Sequence, residues 1–179
     1  MRDLAEKWPI APDWRSAAIE VTGLKIRPVS GLHQRLVSGD LGAWAEASGF
    51  DGTVVGAFGP AEGIRYSIRV ARDRVLAVST TPIGMATGWF AQGFAVTEIS
   101  AGLQVFEVEG AALDAFIARA TTLDPNQPSA SAALSFAGIS AFVYRHEGKL
   151  RIHVDRGLAG YLWTWMEKAS GNISVGPSS

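Results

Sequence analysis

Residues 94–120 read FAVTEISAGLQVFEVEGAALDAFIARA, and this one run holds the patterns that set the fold class. Phe94 to Ile99 and Leu103 to Val108 each read as a strand, so together they predict a hairpin. Leu113, Phe116, Ile117 and Ala120 follow at i, i+3, i+4 and i+7, which places all four on one face of a helix. Two strands and a helix make a β-β-α unit.

The same unit stands upstream. Ile64, Tyr66, Ile68 and Val70 alternate with Arg65, Ser67 and Arg69, the period of a strand with one wet face. Arg72 to Arg74 is the turn, and Val75 to Ser79 the second strand. Thr80, Thr81 and Pro82 supply an N-cap and a first-turn proline for a helix predicted to reach Gln92, with Gly93 as its stop. Farther along, strands at Ala132 to Phe136, Ile139 to Tyr144 and Leu150 to Val154 precede a closing helix from about Gly157 to Ala169, with Leu158, Tyr161, Leu162 and Trp165 as its apolar face.

The first sixty residues are less regular. Ile19, Val21, Leu24 and Ile26 suggest a broken strand ended near Pro28. Asp40 to Ser48, with Gly49 beyond, suggest a short helix with a glycine C-cap. Phe50 to Gly63 reads as a loop enclosing a strand at Thr53 to Ala57. Trp8, Pro9, Pro12 and Trp14 mark residues 1–17 as an N-terminal arm, and the small, polar, glycine-containing residues 170–179 read as a tail expected to fray. The expectation is one α+β domain over residues 18–169, built from duplicated β-β-α modules.

Composition narrows the function. With 179 residues, 47% hydrophobic and 18% charged, the chain can build a core of its own. The absence of Cys removes disulfides, thiolate metal sites and thiol nucleophiles, and suits a reducing compartment, the cytoplasm by default. A net charge of -1 gives no field to gather phosphate, so nucleic acid is not an expected partner. No apolar run approaches about 20 residues, and none opens the sequence, so neither a membrane span nor a signal peptide is expected.

Standard catalytic patterns are missing. There is no G-x-x-x-x-G-K-[ST] to cradle a triphosphate and no G-x-G-x-x-G after a strand to seat a dinucleotide. His33, His146 and His153 are far apart and form no H-E-x-x-H motif. His153, Asp155 and Ser140 can be drawn as a triad, but Lys149 and Arg151 share their strand face, the pattern of a solvated sheet surface, and no serine elbow is present. Arg65, Arg69, Arg72 and Arg74 likewise read as a hydrated strand edge before an anion patch.

Aromatic placement says more. Trp163 falls roughly 100 to 140 degrees from the Leu158, Leu162 and Trp165 stripe at about 100 degrees per residue. On the expected Pro82 helix, Met85 and Trp89 fall opposite the Ile83, Ala86 and Phe90 face. Two readings stand for Met85, Trp89 and Trp163: a second layer of the same domain, or a partner interface, where Trp and Met are enriched.

The segments RDRVLAVST (72–80), FAVTEISAGLQVFEVEGAALDAFIARATTLDP (94–125), FAGISAFVYRHEGKLRIHV (136–154) and LAGYLWTWM (158–166) resemble, in order and spacing, the γ subunits of heterotetrameric sarcosine oxidases. Glu98 and Ser100 match the acidic residue and serine usual at that strand end, while Thr121 or Thr122 stands where many relatives carry Cys. The resemblance implies the fold of the folate-binding domain of glycine-cleavage T proteins, with modules related to ferredoxin-like halves. It implies a non-catalytic accessory subunit acting on sarcosine or a similar N-methylated amino acid, with flavin, NAD, tetrahydrofolate and zinc held by partner subunits and no cofactor bound by this chain. Two other readings remain beside it: a stand-alone folate-binding protein, and a self-associating domain that forms a homodimer when isolated.

Overall fold

The computed structural model describes residues 12–50, 53–127, 129–171 and 173. Trp8 and Pro9 of the expected arm, and residues 174–179 of the expected tail, lie outside the described residues. In chain order the elements are β1 (Ile19–Val21), β2 (Leu24–Val29), β3 (His33–Gly39), α1 (Leu41–Ser48), β4 (Val54–Val55), β5 (Pro60–Ala61), β6 (Arg65–Ala71), β7 (Arg74–Ser79), β8 (Gly88–Phe90), β9 (Phe94–Glu98), β10 (Leu103–Glu109), α2 (Leu113–Ala120), β11 (Ala133–Phe136), β12 (Ile139–His146), β13 (Lys149–Asp155) and α3 (Ala159–Gly171).

The strands form two sheets. The first has the order β1-β2-β10-β13-β12-β11, with β5 parallel to β12, and the second has the order β4-β6-β7-β3-β9-β8. Each contains the same pattern of strand, helix and hairpin. In the second sheet β3, α1 and the β6–β7 hairpin give the order β6-β7-β3, and in the first β10, α2 and the β12–β13 hairpin give β12-β13-β10. The fourth place beside the leading strand goes to β9 in the second sheet and to β2, from the other end of the chain, in the first. These are ferredoxin-like halves in an α+β fold, as expected, with the repeat phased differently from the β-β-α reading.

The phase differs because residues 94–108 are not a hairpin. β9 pairs with β3 and β8, whereas β10 pairs with β2 and β13. The turn closed by the Gly102 N–H on the Ile99 carbonyl at 2.9 Å carries the chain from one sheet to the other. Alternation identifies a strand but not the edge it joins.

A second correction concerns the helix expected from Pro82 to Gln92. Residues 81–87 are irregular and Gly88–Phe90 is a strand on β9. Gly84 and Gly88 each cost a helix about 1 kcal/mol relative to Ala, and Gly88 sits at φ 120, far from helical values. The Met85 carbonyl accepts from the Arg35 guanidinium instead of from a helical N–H. By contrast, α1 closes on Gly49 at φ 64 as read from the sequence, and at its start Asp40 stands just outside the helix as its N-cap, with Oδ1 accepting from the Ala43 N–H at 3.0 Å.

The sheets stack, giving layers in the order α1, second sheet, first sheet, α2 with α3. Trp44 of α1 covers Val37, Val75, Ala77, Phe94 and Val96 on the outer face of the second sheet. Phe116 and Ile117 of α2, with Leu162, Trp163 and Met166 of α3, cover Phe106, Val108, Leu150, Ile152 and Val154 on the outer face of the first. Between the sheets Ile68, Leu76 and Val78 meet Phe142 and Tyr144.

The closing helix turns its faces differently from the expectation. Trp163 is 4% exposed and packs edge-on against Trp14 at 5.6 Å, while Leu158 and Tyr161 are exposed. Trp165 is half-buried against Phe116 and Phe136. Trp14 covers the flank of α3 that a helix resting on one sheet alone would leave open, so the buried arc is wider than one stripe.

Candidate partner interface

β8 is the outer strand of the second sheet, and its side away from β9 has no strand partner among the described residues. Which backbone groups face that open side follows from the ladder. Ile99 N–H donates to the Gln34 carbonyl and Asp40 N–H to the Gly93 carbonyl, each at 3.0 Å, so the alternate residues Ala95, Thr97 and Ile99, with the Gly93 carbonyl, turn their polar groups to β3. Phe94 and Val96 therefore turn theirs to Phe90 and Gly88 of β8. Trp89, opposite Ala95, points its own N–H and C=O outward.

The side chain of Trp89 is 72% exposed, while its neighbour Phe90 stacks on Phe94 at 4.6 Å. Met85 is half-buried against the Trp44 cluster, and its carbonyl is held by Arg35. Arg35 Nε donates to Glu98 Oε2 at 3.1 Å, Glu98 accepts from the Ser100 amide and hydroxyl, and Ser100 Oγ accepts from the Gln34 N–H at 2.7 Å. Burial pushes the Glu98 carboxyl upward, but the Ser100 and Arg35 contacts outweigh it and leave the group below its ordinary value. The irregular segment before β8 is thus tied to the strand that pairs with β9.

From Gln34 the polar contacts continue between the sheets. Arg151 donates to the Tyr66 hydroxyl at 2.6 Å, Tyr66 to Tyr144 at 2.8 Å, Tyr144 to His153 Nε2 at 2.7 Å, and His153 Nδ1–H to Gln34 Oε1 at 2.6 Å. At the outer end Arg151 Nε and Lys149 Nζ reach Glu107 at 3.3 and 2.9 Å. Burial drives the His153 imidazole down to about 3, with the Arg151 guanidinium acting in the same direction. Burial raises the phenols of Tyr144 and Tyr66. A neutral imidazole with both nitrogens engaged has no lone pair for a substrate, so this line cross-links the sheets.

The face of β13 carrying Arg151 and His153, read from the sequence as solvated, is therefore buried. The second sheet covers it. His153 contacts Tyr144 and Gln34 rather than Ser140. Among the described residues no cluster of three or more His, Asp or Glu is placed to hold a metal ion. Thr121 and Thr122 line an open cavity of about 530 Å³ with Arg119, Leu134 and Ser135. No helix among the described residues is long and apolar enough to cross a membrane.

Of the three residues singled out in the sequence, Met85 and Trp89 lie at the same end of the second sheet, and Trp163 lies in the helix layer behind the first, where its indole N–H donates to Glu167 at 2.9 Å. Sequence reasoning missed β3 and the Gln34, Tyr66 and Tyr144 line. Its only trace is polar residues at strand positions whose neighbours are apolar.

A model of the family described as sarcosine oxidase, gamma subunit, matches residues 84–172. Among solved structures, a chain of the heterotetrameric sarcosine oxidase from Corynebacterium sp. U-96 in complex with pyrrole 2-carboxylate is similar over 87% of this chain and 88% of that one, at TM-score 0.65 and 19% identity, which establishes likeness of fold. No curated protein sequence matches.

Proposed function

We propose that this chain, whose residues 84–172 match the model of the sarcosine oxidase gamma subunit family, is an accessory subunit of a heterotetrameric flavoenzyme that oxidises sarcosine or a similar N-methylated amino acid. The observation that carries the reading is that the matched residues run from the segment before β8 to the end of α3, and so contain the whole second strand-helix-hairpin half together with the exposed edge. Similarity of fold to a chain of a heterotetrameric sarcosine oxidase supports it. Flavin, NAD and tetrahydrofolate belong in this reading to partner subunits, and the chain's own contribution is to hold them together.

Met85 and Trp89 mark the surface through which it would do so. An exposed indole on an uncapped edge is the kind of anchor that dominates protein interfaces. Deleting this chain from its native cells tests the assignment, because the remaining subunits are expected to lose assembly together with sarcosine oxidation. Full oxidase assembly without it would overturn the reading.

A further inference from the structure

We infer that β8 is a template for strand addition, and that its occupant is an extended, uncharged strand of a non-identical subunit that exchanges main-chain hydrogen bonds with Trp89. This deepens, and rests on, the accessory-subunit reading. Open sheet edges are normally guarded by charge, proline, a bulge or a covering segment. Here no charged residue occurs between Arg74 and Glu98, a span that includes β8 and the whole approach to it. Trp89 N–H and C=O point out of the ladder, and its indole stands beside them in water.

The chemistry of the occupant follows. A strand laid on β8 satisfies the outward pair of groups at Trp89 and covers the indole with an apolar side chain. A charged side chain there would be desolvated with no counter-charge on β8 or on the segment that leads into it. A second copy of this chain fits poorly. β8 has three residues, and two indoles like Trp89, each 72% exposed, would contribute on the order of 360 Å² where a stable interface needs about 1,200 Å². A larger, different partner supplies the remaining area elsewhere.

The experiment compares the chain alone with the chain assembled on the flavoprotein subunits that copurify with it, co-expressed for the purpose. Amide hydrogen exchange is followed at Gly88, Trp89 and Phe90, and assembly is measured for Trp89→Ala and Trp89→Pro. Proline removes the outward N–H, which the β8–β9 ladder does not use. Assembly is expected to slow exchange at Trp89 far more than at Gly88 and Phe90, and Trp89→Pro is expected to weaken assembly at least tenfold beyond Trp89→Ala. If the complex forms while the Trp89 amide exchanges as in the free chain, strand addition is overturned and the subunit reading survives. If the free chain sediments as a dimer with that amide protected, the occupant is a second copy and the inference is wrong. Recovery of no flavoprotein complex overturns both.

Discussion

The Tyr144 hydroxyl donates to Nε2 of His153 at 2.7 Å in the middle of the two-sheet stack. Neither group has access to water, since both residues are fully buried. Because Gln34 Oε1 can only accept, His153 carries its proton on Nδ1 and Nε2 is the acceptor, which with Arg151 as an obligate donor orders the hydrogen bonds from Arg151 to Gln34. The two ferredoxin-like halves are therefore joined by a polar line as well as by apolar packing, and such a line is stable only when each member is satisfied.

Acid should release this joint. His153 has an ordinary value near 6.5 when unfolded and about 3 when folded, so between those values the unfolded chain binds a proton that the folded chain does not. Stability is expected to fall as pH drops through that window, by up to about 1.4 kcal/mol per pH unit from this residue. Urea unfolding at pH 7 and pH 4.5 measures it. His153→Gln is expected to be less stable at pH 7 yet to lose most of that pH dependence, and an unchanged slope would contradict the assignment.

Removing one hydroxyl from the line leaves two neighbours without it. Tyr144→Phe deprives His153 Nε2 of its donor and Tyr66 of its acceptor, and is expected to cost about 1–3 kcal/mol in chemical denaturation. A neutral result would mean that water enters the layer.

The tryptophans separate core from surface. Trp163→Ala is expected to cost about 3–5 kcal/mol of stability because Trp14 and Phe106 pack on it, whereas Trp89→Ala should change stability by no more than about 0.5 kcal/mol. Comparable melting losses for both would place Trp89 in a layer of its own fold.

A backbone prediction concerns Gly110, at φ 132 between β10 and α2, where an added Cβ would overlap the Gly23 carbonyl of the β1–β2 turn. Gly110→Ala is expected to destabilise by well over 1 kcal/mol, measurable as a lower urea midpoint. Wild-type stability would show that the β1–β2 turn can move aside.

The β6–β7 hairpin, the strands β12 and β13 and the glycine C-cap of α1 were legible because they depend on local residues: alternation and Gly49. The false hairpin at residues 94–108 had the same alternation, and only the partners of β9 and β10 distinguish it. The false helix at Pro82 had a cap, a start and a glycine stop but two interior glycines, Gly84 and Gly88, a penalty that its apolar spacing concealed. Arg151 and His153 looked solvated because a sheet covered on both faces carries polar residues inward only when distant partners satisfy them, and Tyr66 and Gln34 lie far away in sequence. Of the proposed interface, Trp89 was legible as an unplaced aromatic, but its position on an edge strand depends on the ladder.

The role proposed for this chain, that of a structural subunit of a sarcosine-oxidising assembly, is tested most directly by the mass and activity of what the chain purifies with. A tag on this chain in its native cells, followed by native mass spectrometry, flavin absorbance and sarcosine-dependent peroxide formation, gives both. The expected result is a stoichiometric complex with flavin-carrying subunits that produces peroxide, together with an isolated chain that is colourless and inactive. Recovery of the chain alone, or peroxide formation by the isolated chain, would contradict the claim.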